Sequence, residues 1–339
     1  MNAVIVAVTE EVPRVLTVRN TAVAAEMNLP HPSIKPRVWE ALPFGPLDPA
    51  GDRTLERGLR KWVRDQTGLE LGYVEQLYTF GDRNRDPAEE RGGPRVVSVA
   101  YLGLAREAEP SGAGEARWID CYRFFPWEDW RTGRSNAIRV TIAPTLGRWV
   151  RSAPDGMIRR ERRERVDIAF GLGGAPWDGE RVLERYELLY EAELAEQAER
   201  DKPAVGPPKR IPMRSSRSLS AHPHLGEPMA LDHRRILATA LGRLRGKLKY
   251  RPVVFELLPP TFTLLQLQRV VEALAGLRLH KQNLRRLLEH GGLVEGTGRL
   301  DPRTGGRPAE LFRFRREVLR ERPAPGVGLP GLRHAARWD

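Results

Sequence analysis

Between residues 202 and 228 the chain reads KPAVGPPKRIPMRSSRSLSAHPHLGEP. Proline, serine and arginine crowd this stretch and large apolar side chains are nearly absent, so it cannot supply a core and reads as a linker. A chain of 339 residues interrupted here must build separate bodies on either side. The charge divides at the same place. Residues 202–339 carry 27 Lys+Arg against 11 Asp+Glu, which leaves 29 against 33 for residues 1–201. The formal net charge of +12 therefore belongs to the second part. Arginine enrichment from coding bias alone would be spread along the chain. Such asymmetry is the footprint of a domain that meets a polyanion, with the acidic part free for another task.

Other classes are excluded by composition. A hydrophobic content of 40% is ordinary for a folded chain, and no stretch approaches the roughly 18 apolar residues of a membrane span. The opening MNAVIVAVTEEVPRV has no basic region before its apolar run and no cleavage-like site, so a cytoplasmic protein without a membrane partner is expected. Cys121 is the only cysteine, which rules out an intrachain disulfide. His222 and His224 form a His-x-His pair inside the linker. Without Cys, further His or a carboxylate cluster they read as exposed linker histidines, and no metal site is expected.

The first part alternates strands and helices. AVIVAVTEEVPRVLTVRN gives two β-branched runs around Glu10 to Pro13, a hairpin pattern. Residues 71–82 and 94–106 are aromatic and valine-rich strand candidates. Before them Leu55, Leu59, Trp62, Val63 and Leu69 recur at helical spacing, with Asp52 or Thr54 to cap the start and Gly68 to end the helix. Helical patterns follow at 143–152, 156–170 and 178–200. In the last, Leu183, Tyr186, Leu189, Tyr190 and Leu194 share a face that either closes the domain or pairs two copies.

After the linker the pattern is helical again. Residues 232–250 form a basic amphipathic helix and 253–258 a short one that Pro259-Pro260 breaks. Thr261 or Thr263 can cap a helix carrying Leu264, Leu267, Val271 and Leu274 on one face, which Gly276 stops. A second helix over 280–290 sets Leu284, Leu287 and Leu288 on one side, with Gln282, Arg285 and Arg286 pointing away. Two helices joined by the short turn 276–279 make a helix-turn-helix, whose second member enters the major groove. Lys281, Gln282, Asn283, Arg285 and Arg286 are the candidate DNA contacts, because glutamine and arginine match adenine and guanine edges. Beyond Gly291-Gly292, LVEGT and AELFRFR can pair as a wing around GRLDPRTGGRP, with Arg299, Arg303 and Arg307 beside phosphates.

Residues 42–69, LPFGPLDPAGDRTLERGLRKWVRDQTGL, resemble a Nudix box: a glycine, a glutamate after five residues, then Arg-Glu-apolar-x-Glu-Glu-x-Gly-apolar. That helix presents glutamates one turn apart because Mg²⁺ needs carboxylate oxygens beside the substrate's phosphates. Aligned on Gly68, this chain has Lys61 for the arginine, Trp62 for the first glutamate, and Asp65 and Gln66 for the glutamate pair. Gly45 stands for the opening glycine, with two additional residues before the helix. Glu56 lies nine residues before Asp65, half a turn round, and cannot easily share a metal with it. The box predicts a Nudix fold without catalytic residues.

Together with GLRKWVRDQTGLELGYVEQLYTFGDRNRDP, VVSVAYLGL, the run from GRLRGKLKY to EALAG, HKQNLRR and GGRPAELFRF, this resembles the Nudix-related transcriptional regulators of NAD metabolism, the NrtR and NadQ type. The resemblance implies an α/β Nudix-like N-terminal domain, a mixed sheet with helices, plus a C-terminal winged helix-turn-helix domain. It implies a homodimeric repressor on double-stranded operator DNA before NAD synthesis or salvage genes, tuned by an adenine-nucleotide or NAD-related effector, with no cofactor required. Domains are expected at 1–201 (sensor with helical extension), 202–228 (linker), 229–320 (winged helix) and 321–339 (flexible tail). An effector pocket is expected at strand ends near the box helix, with Tyr78 and Phe80 to stack a base and Arg83 for a diphosphate. The equally open alternative is that Tyr78 and Phe80 only line a buried strand face. The rival reading of the whole is a Nudix hydrolase acting on ADP-ribose or a related nucleoside diphosphate derivative. An RNA-binding regulator lacks support, because no aromatic stacking run accompanies the basic helix.

Overall fold

In the computed structural model, residues 1–19, 39–83, 85–90, 92–112, 115–200, 225–302 and 308–327 are described. The expected hairpin forms from β1 (Asn2–Thr9) and β2 (Val12–Arg19), antiparallel through Glu10 and Glu11. A short strand β3 (Glu40–Ala41) follows and pairs with β2. Helix α1 (Leu55–Thr67) starts where Thr54 Oγ1 accepts from Arg57 N and ends at Gly68 in the left-handed region, φ 73°. Next come β4 (Tyr73–Phe80), β5 (Ser98–Leu104) and β6 (Glu115–Asp120). The strand order is β3-β2-β1-β5-β4, with β6 added on β2. The β1–β5 pair is parallel and its neighbours antiparallel, so the sheet is mixed as expected.

Alternation along β1 divides the interior. Ala3 and Ile5 face Leu59 and Val63 of α1, while Val4 and Val6 face a larger cluster on the other side. Among the helices that follow the sheet are α2 (Ala143–Arg151), α3 (Gly156–Phe170) and α4 (Val182–Glu191). The single helix expected over 178–200 is broken, because Glu193 takes φ 57° and the chain restarts only at Glu196. The apolar face of α4 is consumed inside the chain. Tyr186 and Leu189 are buried, and Leu183, Tyr190 and Leu194 pack against the same cluster, so this helix closes the domain.

What α4 packs on is α5 (His233–Tyr250). Ile236, Leu237, Ala240, Leu241 and Leu244 of α5 belong to the cluster behind β1 and β5. His233 accepts from Leu42 N at 3.0 Å, and Arg85 grips Asp232 through two hydrogen bonds of 2.9 and 2.8 Å. The sheet therefore lies between α1 and α5, and α5 completes the first domain even though it lies beyond the linker. A boundary at 229 does not match the packing. Of the linker itself, Leu225 is already buried, while residues 202–224, with His222 and His224, lie outside the described residues.

A buried ion network joins these layers. Glu128, 1% exposed, accepts from Arg185 Nε at 2.5 Å, Arg185 Nη2 at 2.9 Å and Arg245 Nη1 at 2.6 Å. Arg185 comes from α4 and Arg245 from α5.

The rest is a winged helix. After a 3₁₀ turn at Val253–Leu257, α6 (Leu264–Ala275) opens with a capping box between Thr263 and Gln266 and closes at Gly276, φ 71°. Helix α7 (Lys281–Gly291) leads into β7 (Val294–Asp301) and β8 (Ala309–Phe314), an antiparallel pair. Strand β7 is longer than expected: a bulge between Gly296 and Leu300 lets pairing resume to Asp301. Phe262 exchanges backbone hydrogen bonds with Phe312 at 2.9 and 2.8 Å, and Phe255 stacks on Phe314 at 4.4 Å. The chain does not leave as a tail at 321. Val327 is buried and donates to Leu248 O at 2.9 Å, returning the chain to α5.

Removing one member of a buried ion cluster costs more than the pair contributes, because the remaining charges stay desolvated. Glu128→Ala is therefore expected to lower stability by about 3–5 kcal/mol in urea unfolding. Burial pushes the Glu128 carboxyl upward, but Arg185 and Arg245 overcome that and hold it below its ordinary value of 4.5. A depressed carboxyl stabilises the fold above its unfolded value and loses that contribution as pH falls through its folded value. The gap between wild type and variant should accordingly shrink on acidification below 4.5.

Candidate nucleic-acid interface and sensor pocket

Helix α7 separates its faces as the periodicity expects. Leu284 and Leu288 are 3% and 1% exposed and Leu287 is half-buried, while Lys281, Gln282, Asn283, Arg285 and Arg286 are all exposed. Arg285 Nε donates to Glu289 at 2.8 Å, an exposed i,i+4 pair that a phosphate could displace at small cost. The side chains of Lys281 and Arg286 have no hydrogen-bond or ion-pair partner among the described residues. Arg299 is exposed on the wing, directly after Gly298 at φ 69°. Arg303 and Arg307 lie outside the described residues.

Other cations on this side went unread in the sequence. Arg313 is 63% exposed and pairs across the hairpin with Glu295 at 2.5 Å. Arg269 on α6 and Arg278 in the turn are 49% and 56% exposed. Alternation in AELFRFR is a signal that could have found Arg313.

The side chains of the box helix do not match the ligand set that the box pattern requires. Trp62 lies against bare backbone at Gly45, where a Cβ would meet its ring at 3.2 Å. Gln66 Nε2 donates to Phe44 O at 2.8 Å. The Trp62 indole N–H and the Gln66 carbonyl oxygen are buried without a partner among the described residues. Asp65 is exposed, 4.0 Å from Arg64; Lys61 is exposed; and Glu56 pairs with Arg60 at 2.9 Å. Among the described residues no group of three or more His, Cys, Asp or Glu could hold a metal ion. An indole and an amide tied to backbone do not supply what Mg²⁺ requires, and no step can be derived through it.

Tyr78 and Phe80 fall on the sheet face opposite α1, not beside the box helix. Phe80 belongs to the α5-side cluster, and the exposed ring of Tyr78 meets it edge-on at 5.8 Å. Both line a cavity of about 720 Å³ between the end of β4 and helices α3, α4 and α5. Arg83 is exposed and does not line it. Three arginines from distant segments do: Arg165 pairs with Glu191, Arg181 with Glu184 and Arg235 with Glu187, each at 2.5 Å. No local spacing could have assembled them. Burial raises the Glu187 carboxyl, with Arg235 opposing the shift.

Comparison with known proteins bears on both halves. Residues 254–314 match the model of the NrtR DNA-binding winged helix domain. Over 86 residues the chain is 40% identical to an ADPR responsive transcriptional repressor of Acinetobacter baylyi, a match spanning 25% of this chain and 34% of that protein. Shewanella oneidensis NrtR complexed with a 27mer DNA has a TM-score of 0.51 to this chain at 19% identity, covering 94% of this chain and 93% of the other. A second structure of Shewanella oneidensis NrtR gives 0.50 at 19% identity, with 94% of each chain covered. Both likenesses extend over nearly the whole chain and show a shared fold. No helix among the described residues is long and apolar enough to cross a membrane.

Because Asp65 is exposed and its only near charge is Arg64 at 4.0 Å among the described residues, Asp65→Ala should change stability by no more than about 0.5 kcal/mol. Mg²⁺ should leave the melting temperature of both proteins unchanged. A Mg²⁺-dependent rise lost in the variant would reveal a site on the box helix.

Proposed function

We propose that this chain, whose residues 254–314 match the NrtR DNA-binding winged helix domain and whose fold resembles that of NrtR, is a transcriptional repressor of that family whose Nudix-like domain senses a metabolite and hydrolyses nothing. The observation that carries this reading is the pairing of an exposed polar face on α7 with a box helix that lacks the metal carboxylates. One half can read DNA and the other can bind without cutting. NAD synthesis or salvage genes are the regulated targets in this reading, which rests on the family and on the ADPR response in the name of the Acinetobacter relative.

In this reading α7 lies in the major groove and the β7–β8 wing follows the backbone. Gln282, Asn283, Arg285 and Arg286 face base edges, while Lys281, Arg299, Arg303 and Arg307 meet phosphates. Fluorescence anisotropy with the native operator tests the assignment. Arg286→Ala is expected to cost about 1–3 kcal/mol at the operator, and Lys281→Ala to flatten the log–log salt dependence by roughly 0.9. Operator binding indifferent to salt and to Arg286→Ala would remove the proposal.

The effector in this reading is ADP-ribose or a related adenine nucleotide, bound in the Tyr78–Phe80 cavity. Tyr78 offers an exposed ring for the base, and Arg165, Arg181 and Arg235 can exchange their carboxylates for phosphates. Stacking on an aromatic contributes about 1–3 kcal/mol, so Tyr78→Ala should weaken ADP-ribose binding about 5- to 150-fold in calorimetry. Unchanged affinity would place the nucleotide elsewhere. Incubation with Mg²⁺ and ADP-ribose should yield no product, and turnover abolished by Asp65→Ala would restore the hydrolase reading. The working form is a homodimer matched to a two-fold operator. Since α4 spends its apolar face on α5, the two copies must meet through another surface.

A further inference from the structure

The β1–β2 turn holds Glu10 and Glu11 at φ 51° and 64°. Two successive left-handed residues make the hairpin turn in which Asn-Gly is favoured, because a Cβ is disfavoured there. Glutamates kept in that conformation need a reason outside the turn. The structure supplies one. The Glu11 carboxylate lies 3.1 Å from Arg269 Nε on α6 and 3.4 Å from Arg278 Nη1, and its backbone carbonyl accepts from Arg131. Arg278 stands three residues before Lys281, at the end of α7 that enters a groove. The first helix of a helix-turn-helix crosses the DNA backbone.

We propose that Arg269 and Arg278 are phosphate-contacting residues of the DNA reader, and that Glu11 of the sensor domain occupies the place of a phosphate between them. With Glu272 also 2.7 Å from Arg278, the two guanidiniums and two carboxylates cancel, and the site presents no net charge to a duplex. Release of Glu11 uncovers one positive charge. DNA and the sensor turn thus compete for the same two side chains, and whatever moves the turn alters DNA affinity. Exposed ion pairs commonly contribute little, but this one is accompanied by a strained turn and by a backbone anchor at Arg131. Asp129 holds that arginine through hydrogen bonds of 2.9 and 2.8 Å and sits next to the buried Glu128.

The proposal rests on the DNA-binding reading and is tested with the full chain and a labelled mixed-sequence DNA duplex, since phosphate contacts do not depend on sequence. Affinity is followed between about 50 and 200 mM salt. Glu11→Gln is expected to bind about tenfold tighter, with a salt slope steeper by roughly 0.9 for each phosphate gained. Glu11→Asn, which tolerates the left-handed backbone, should do the same and guards against a folding artefact in the first variant. The gain should vanish when Arg269→Ala and Arg278→Ala are added. Unchanged slopes in both Glu11 variants, or a gain that survives loss of the two arginines, would overturn the latch while leaving the DNA reading intact. Failure of every protein to bind duplex would remove both.

Discussion

A single carboxylate between two guanidiniums holds this molecule in register. Glu128 is shared by Arg185 of α4 and Arg245 of α5, all three shielded from water. One negative charge against two positive ones leaves a surplus that the interior must absorb. It does so at the end of a helix: Arg245 Nε donates to Leu274 O at 3.0 Å, and Tyr122 Oη donates to Ala273 O at 2.6 Å. The carboxyl terminus of α6 carries the partial negative charge of its free carbonyls and is a favourable place for a cation. The first helix of the helix-turn-helix is thus oriented by an ion network whose other members belong to the first domain.

This changes what the basic charge of the second half means. Arg235, Arg243, Arg245, Lys247 and Lys249 of α5 all face acids of the first domain, among them Glu187, Glu75, Glu128 and Glu180. Arg234 is buried against the Phe124 and Leu225 carbonyls, where desolvation draws its pKa down to about 10. Part of the charge asymmetry is therefore glue between halves of opposite sign, while α7 and the wing keep cations turned outward. A net charge counted by segment cannot separate these uses, because it ignores which partner each side chain meets.

Local signals were legible in the sequence. Thr54 and Gly68 bound α1, Thr263 and Gly276 bound α6, and Leu284 and Leu288 mark the buried face of α7, since caps and apolar periods act within a few residues. What escaped depends on distant partners. Nothing near residue 233 says that α5 covers the first sheet. Glu193 gives no sign of breaking a helix that its neighbours favour. Residues 115–120 do not announce a strand, because β6 is defined by its pairing with β2. Tyr78 and Phe80 line a cavity, but the bulge in β4 and the packing of α5 set it on the face away from α1, and Arg83 is not among its lining residues.

Helix α5 presses one side on the sheet, another on α4, and receives the returning chain at Leu248. A segment clamped in this way cannot serve as a hinge. On the proposed reading, a signal leaving the first domain would travel as a rotation or slide of a stiff beam, carrying α6 along through Arg245. In a symmetric pair, small tilts of two such beams would change the span between the reading helices, and a duplex of fixed helical pitch would register that span as a match or a misfit.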